Sequence, residues 1–175
     1  LWLAIAFLLA ACQAQTPSEK ITIVDGEKFL SLPATSRIPA EILAENGMPL
    51  APLDHFFVNG QIADPKTPLD CDNCVLQIRR AITMTLITPD GEHTLVTAAS
   101  TIGEALNEFG IQLYTADFVD PPVGTEATDQ LSITYRPSRP LAIRVDGKIV
   151  HIRSSAETVG EALLEGGIPL INRKS

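Results

Sequence analysis

The chain has 175 residues, enough for one ordinary domain or for two or three very small ones. Its 21 acidic against 13 basic residues give a formal net charge of −8, which argues against nucleic acid or an anionic membrane surface, since both call for clustered Lys and Arg. A hydrophobic fraction of 45% with 5% aromatic, and the sole Trp at position 2, describes an aliphatic core and leaves little from which to build an aromatic sugar-stacking platform.

Residues 1–12 read as an address. Leu1 to Ala11 are apolar without a charge, too few for a ~20-residue transmembrane helix but suited to the apolar core of a signal peptide. The segment has neither an initiator Met nor a basic start, so the chain is expected to begin inside it. Leu9-Ala10-Ala11-Cys12 resembles the bacterial lipobox, an apolar residue and two small ones before the Cys that is lipidated. The resemblance implies lipidation at Cys12 and a membrane partnership through the attached acyl chains. An ordinary signal-peptidase site and a shortened membrane anchor are the other readings. All three place the rest of the chain outside the cytoplasm, with 13–20 as a linker.

Three copies of one small unit follow, expected at 21–79, 80–136 and 141–175. Alternating apolar segments meet turns at Asp25-Gly26, Asp90-Gly91 and Asp146-Gly147, a strong hairpin signal if both central residues take positive φ. In the first copy the hairpin leads to a helix around Pro39-Ala40-Glu41-Ile42-Leu43, with Pro39 in its first turn. In the second, Ile102, Ala105, Leu106 and Phe109 make one apolar helix face. Thr101 with Glu104, and Thr158 with Glu161 in the third copy, fit the capping box. Gly47, Gly110 and Gly167 end the helices, 63 and then 57 residues apart, and Leu50 and Asp54 match Leu113 and Asp117 at the same spacing of 63. Closing strands are expected at Val75–Ile78 and Leu131–Tyr135. Pro137 and Pro140 mark a stiff linker at 137–140. The third copy is expected to stop short of its closing strand.

Hairpin, helix, loop and closing strand in about 55–65 residues is the order of a small β-grasp unit, with the closing strand parallel to the first. The predicted fold class is α+β, tandem ubiquitin-like β-grasp repeats with the third truncated; an irregular α+β sandwich shared between copies has the same string of elements. The pattern strand, Asp-Gly, strand, then Thr158-Val159-Gly160-Glu161-Ala162-Leu163 and Gly167-Ile168-Pro169-Leu170 resembles the bacterial repeat called domain of unknown function 348. The third copy carries the resemblance most closely, then the second; the first shares mainly Asp25-Gly26 and its helix. The resemblance implies a ubiquitin-like fold, tandem occurrence ahead of a G-five domain and a wall-lytic domain as in resuscitation-promoting factors, a cell-envelope location, and no catalytic residues to carry over.

The candidate chemistry is thin. Glu41/Glu45, Glu104/Glu108 and Glu161/Glu165 each share a helix face, and paired carboxylates suit acid–base work when a pocket raises one pKa. Their threefold repetition points instead to helix capping and a solvated face. Cys71-Asp72-Asn73-Cys74 occurs in the first copy only. Outside the cytoplasm Cys71 and Cys74 are expected to form a local disulfide that tightens the loop before the closing strand. Free thiols, a zinc site lacking two ligands and a redox pair are the alternatives. His55, His93 and His151 fall one per copy. No phosphate-binding loop, nucleophile elbow, zinc-protease helix or dinucleotide fingerprint occurs. The sequence therefore predicts no enzyme, no cofactor and no metal, but a lipid-anchored envelope stalk or interaction array presenting a C-terminal wall-active module, with cell-wall polymer or envelope proteins as partners. The rivals are a ligand-binding β-grasp lipoprotein of polysaccharide-export type and the non-catalytic part of a peptidoglycan-lytic enzyme.

Overall fold

The computed structural model describes residues 20–33, 36–145 and 147–168. They cluster into two compact units, one of the described residues within 20–50 and 56–78, the other of those within 51–55 and 79–168. Cys12 and the segment 1–19 lie outside the described residues.

The first unit opens with the antiparallel strands β1 (Lys20–Asp25) and β2 (Lys28–Pro33), followed by helix α1 (Pro39–Glu45). Two short strands, β3 (His55–Val58) and β4 (Gln61–Ile62), precede β5 (Asn73–Arg79). The strand order is β2-β1-β5-β3-β4, with β5 parallel to β1 and Ile21 facing Cys74, Ile23 facing Leu76. This is the β-grasp arrangement. Period-two alternation in β5 turns Cys74, Leu76 and Ile78 inward, where they pack with Ile21, Ile23, Ile42 and Leu43. Burial of each large aliphatic side chain contributes roughly 1.5–3 kcal/mol.

In the second unit β6 (Ile82–Thr88) and β7 (Gly91–Thr97) form the hairpin, α2 (Ile102–Glu108) crosses the sheet, and β8 (Phe118–Asp120) and β9 (Ser132–Arg136) complete it in the order β7-β6-β9-β8. Again the last strand runs parallel to the first, with Leu86 opposite Ile133. The buried positions of α2 (Ile102, Ala105, Leu106) repeat those of α1 (Pro39, Ile42, Leu43) at the spacing of 63. The third copy begins with β10 (Arg139–Val145), antiparallel to β11 (Lys148–Ser154), and continues into α3 (Val159–Glu165). Among the described residues β10 has β11 as its one partner strand. Val159, the counterpart of fully buried Ile102, is 77% exposed.

Several local expectations change. The Asp-Gly pairs do not occupy one place in three equivalent turns. Asp25 pairs with Lys28, so Gly26 (φ 58°) is the first central residue; Thr88 pairs with Gly91, so the second turn is Pro89-Asp90 and Gly91 follows it. Neither Asp25 nor Asp90 has positive φ, because a glycine at one central position, or just after the turn, suffices to reverse the chain. Strand β10 begins at Arg139, so Pro140, expected in the linker 137–140, is the second residue of the strand and faces Arg153. A residue without an N–H is compatible with a strand paired on one side.

Candidate functional site

The glutamate pairs are structural, as their spacing suggested at α3 and only in part at α2. At α3 the capping box is complete: Thr158 Oγ1 accepts from Glu161 N and Glu161 accepts from Thr158 N. At α2 only half of it forms. Thr101 Oγ1 accepts from Glu104 N at 3.3 Å, but the Glu104 carboxylate passes Thr101 and accepts from Ser100 N at 2.7 Å. That N–H, ahead of the other contacts, holds the Glu104 carboxyl below its ordinary range. At α1 the Ser36 hydroxyl substitutes, accepting from Ile38 N and donating to Glu41.

The second member of each pair ends its helix, where the backbone dipole disfavours a negative charge. Thr97, buried at the end of β7, donates its hydroxyl to Glu108 and accepts from Ala99 N. Ser154, buried at the end of β11, does the same with Glu165 (2.5 Å) and Ala156 N. Glu108 and Glu165 lie on an exposed helix face, as expected, and each also ties its helix to a strand through the hydroxyl that compensates its carboxylate. Glu108 also lies 3.5 Å from His55 Nε2.

Cys71 and Cys74 are joined by a disulfide with Cα atoms 5.6 Å apart. Cys74 is the second residue of β5, with its side chain packed in the core. Arg37 donates to the carbonyls of Leu69 (3.2 Å) and Cys71 (3.4 Å), while Leu69 N donates to Arg37 O. The loop is held from the other side by Asn59, whose side-chain oxygen accepts from Val75 N and whose N–H donates to Val75 O. The three histidines stand on different strands: His55 opens β3, His93 approaches Thr88 and Phe109 from β7, and His151 is exposed on β11. Among the described residues no three His, Cys, Asp or Glu side chains converge as metal ligands would.

Two features escaped the sequence reading. One is an open cleft of about 580 Å³ in the second unit, where the ends of β6 and β9 face β10 and the start of α3. Ile87, Pro89, Leu141, Val159 and Ala162 line its apolar part. Arg136 at its rim is committed to Glu157 and stacks over Phe118, its Cζ 4.2 Å from the ring centre. The other is a pair of matched aspartates. Asp54 accepts from Ala51 N (2.9 Å), Ala81 N (2.9 Å) and Arg80 (2.7 Å); Asp117 accepts from Tyr114 N (2.8 Å), Ser138 N (2.7 Å) and the Tyr135 hydroxyl (3.3 Å). Burial pushes both carboxyls up, but these donors outweigh it and hold them below the usual carboxylate value of 3.8. The spacing of 63 already pointed to Asp54 and Asp117; what each grips lies far along the chain and leaves no local mark.

Chemically, these groups brace backbone and cap helices. Against that geometry, two segments of the chain, residues 87–124 and 141–170, match the family profile DUF348, the G5-linked-Ubiquitin-like domain. The first runs from β6 past α2 into β8 and its following turn; the second begins in β10 and passes through α3. The chain is also similar to Resuscitation-promoting factor Rpf2 of Corynebacterium glutamicum, at 31% identity over 85 residues. That similarity spans 47% of this chain and 23% of the relative. The chain therefore carries tandem repeats similar to the G5-linked ubiquitin-like domain, clearest in its second and third copies.

Proposed function

We propose that this chain is a non-catalytic, extracytoplasmic module of the cell envelope, a row of ubiquitin-like repeats held to a membrane through lipid on Cys12 and presenting a wall-active module or partner. The observation that carries the non-catalytic reading is the fate of the polar pairs. Glu104, Glu108, Glu161, Glu165, Asp54 and Asp117 each hold a backbone N–H or a hydroxyl, and the six form three matched pairs across copies. The family match and the similarity to a resuscitation-promoting factor support the envelope location. The lipobox-like Leu9-Ala10-Ala11-Cys12 supports the anchor.

Metabolic labelling with a palmitate analogue tests the anchor: the expected result is label on the wild-type chain and none on Cys12→Ala. Label that persists on the variant overturns it. Incubation with purified peptidoglycan tests the rest, with no soluble fragments expected. Hydrolysis that disappears in Glu104→Gln or Glu161→Gln would show an enzyme.

A further inference from the structure

Ser138 lies between the second repeat's last strand and β10, where a connecting residue is normally solvated, yet it is only 5% exposed. Each of its polar groups is held. Its N–H donates to Asp117 Oδ1 at 2.7 Å, from the second repeat. Its hydroxyl and carbonyl accept from Arg153 Nε (3.2 Å) and Nη2 (3.0 Å), from β11 of the third. Arg153 also stacks on Tyr114 of the second repeat, Cζ 4.0 Å from the ring centre, and Tyr114 N is a donor to the same Asp117. The ring of contacts closes: Asp117, Ser138, Arg153, Tyr114 and back to Asp117.

We infer that Asp117 and Arg153 make Ser138 a locked joint, so that the chain leaves the second repeat in one fixed direction instead of through a flexible tether. The device is not a single accident of packing. Asp54, at the matched position, holds Ala81 N with one oxygen and Ala51 N with the other, as Asp117 holds Ser138 N and Tyr114 N. Pro137 fixes its own φ and Pro140 restricts Arg139 before it, but neither proline sets where Ser138 goes; the Asp117 carboxylate does. The inference concerns the joint and holds whatever the repeats present.

Backbone ¹⁵N relaxation on the full chain reads it directly. The heteronuclear NOE of Ser138 and Arg139 is expected to equal that of Ile133 within β9, and to fall to loop values in Asp117→Ala while Ile133 and Leu86 keep their shifts and their NOE. If Asp117→Ala disturbs the second repeat's core shifts, Arg153→Ala serves instead. It removes both donors to Ser138 from β11 but leaves Asp117 its bonds to Tyr114 and Tyr135, and the NOE of Ser138 is expected to fall. A loop-like NOE at Ser138 in the wild-type chain overturns the inference, as does an unchanged Ser138 in both variants.

Discussion

Gly103 and Val123 approach so closely that a Cβ on Gly103 would lie 3.2 Å from the Val123 carbonyl oxygen and 3.3 Å from its Cβ. The contact is made by the second turn position of α2, whose N–H donates to that same carbonyl at 2.8 Å. The first repeat makes the matching bond from Ala40 N to Pro65 O at 2.8 Å, with a methyl group already in place. The loop over α1 therefore stands clear of a side chain where the loop over α2 does not. Gly103→Ala gains up to about 1 kcal/mol of helix propensity, less in a first turn, against about 1–3 kcal/mol for overpacking. The expected net is a loss of about 1 kcal/mol, read as a lower urea midpoint for the second unit.

Thr97→Val removes a hydroxyl that serves both Glu108 and Ala99 N, leaving a buried N–H without its acceptor. The expected cost is about 1–3 kcal/mol. Glu108→Gln keeps an acceptor for the hydroxyl and should cost less than half as much. Equal losses in the two variants would mean that charge, not the hydroxyl's double use, makes the tie.

Acid should loosen the aspartate contacts, and the direction follows from their depressed pKa. The unfolded chain takes up these protons at a higher pH than the folded one, so stability rises with pH across the interval. The contribution is present above the ordinary value of 3.8 and is lost as pH falls through the lower folded values. Tyr135, whose hydroxyl donates to Asp117, is raised from its ordinary value of 10.0 by burial and by the Asp117 charge and stays neutral across that interval. Urea midpoints should decline below about pH 4, with a shallower decline in Asp117→Asn. An identical slope in variant and wild type would remove Asp117 from the account.

Mass spectrometry of protein kept from reductant should show a two-hydrogen deficit confined to residues 71–74. Reduction should lower the first unit's stability by no more than about 2 kcal/mol, because so small a ring restricts little unfolded-chain entropy. A larger loss would place the sulfur of Cys74 among the main contributors to that core.

The repeat architecture was legible because hairpin, helix and stop signals are local and occur three times. Ile102, Ala105 and Leu106 announce their buried face by spacing, and positive φ at Gly110 and Gly167 matches their place after the helices. The β3–β4 hairpin carries an equally local signal. Asn59-Gly60, flanked by apolar residues, takes positive φ at both positions (51° and 82°) and is the one described turn that meets the pattern sought at Asp-Gly. What no local rule reaches is the destination of a side chain across tens of residues. Glu104 was rightly assigned to capping, but whether it meets Thr101 or Ser100 depends on how the β7–α2 connection enters the helix. The grip of Asp117 on Ser138 requires the closing strand between them to be in place first.

The pairing of last strand with first in the first and second repeats has a consequence for the timing of folding. Ile21 must wait for Cys74, and Leu86 for Ile133, before either sheet has its central strand pair. Loop closure over such distances is slow relative to hairpin and helix formation. A nascent chain thus carries an open hairpin and an uncovered helix until the whole repeat has emerged. Each of these two repeats is sealed only by its own last strand, and a strand paired within its own repeat is no longer open to a like strand of the neighbouring copy.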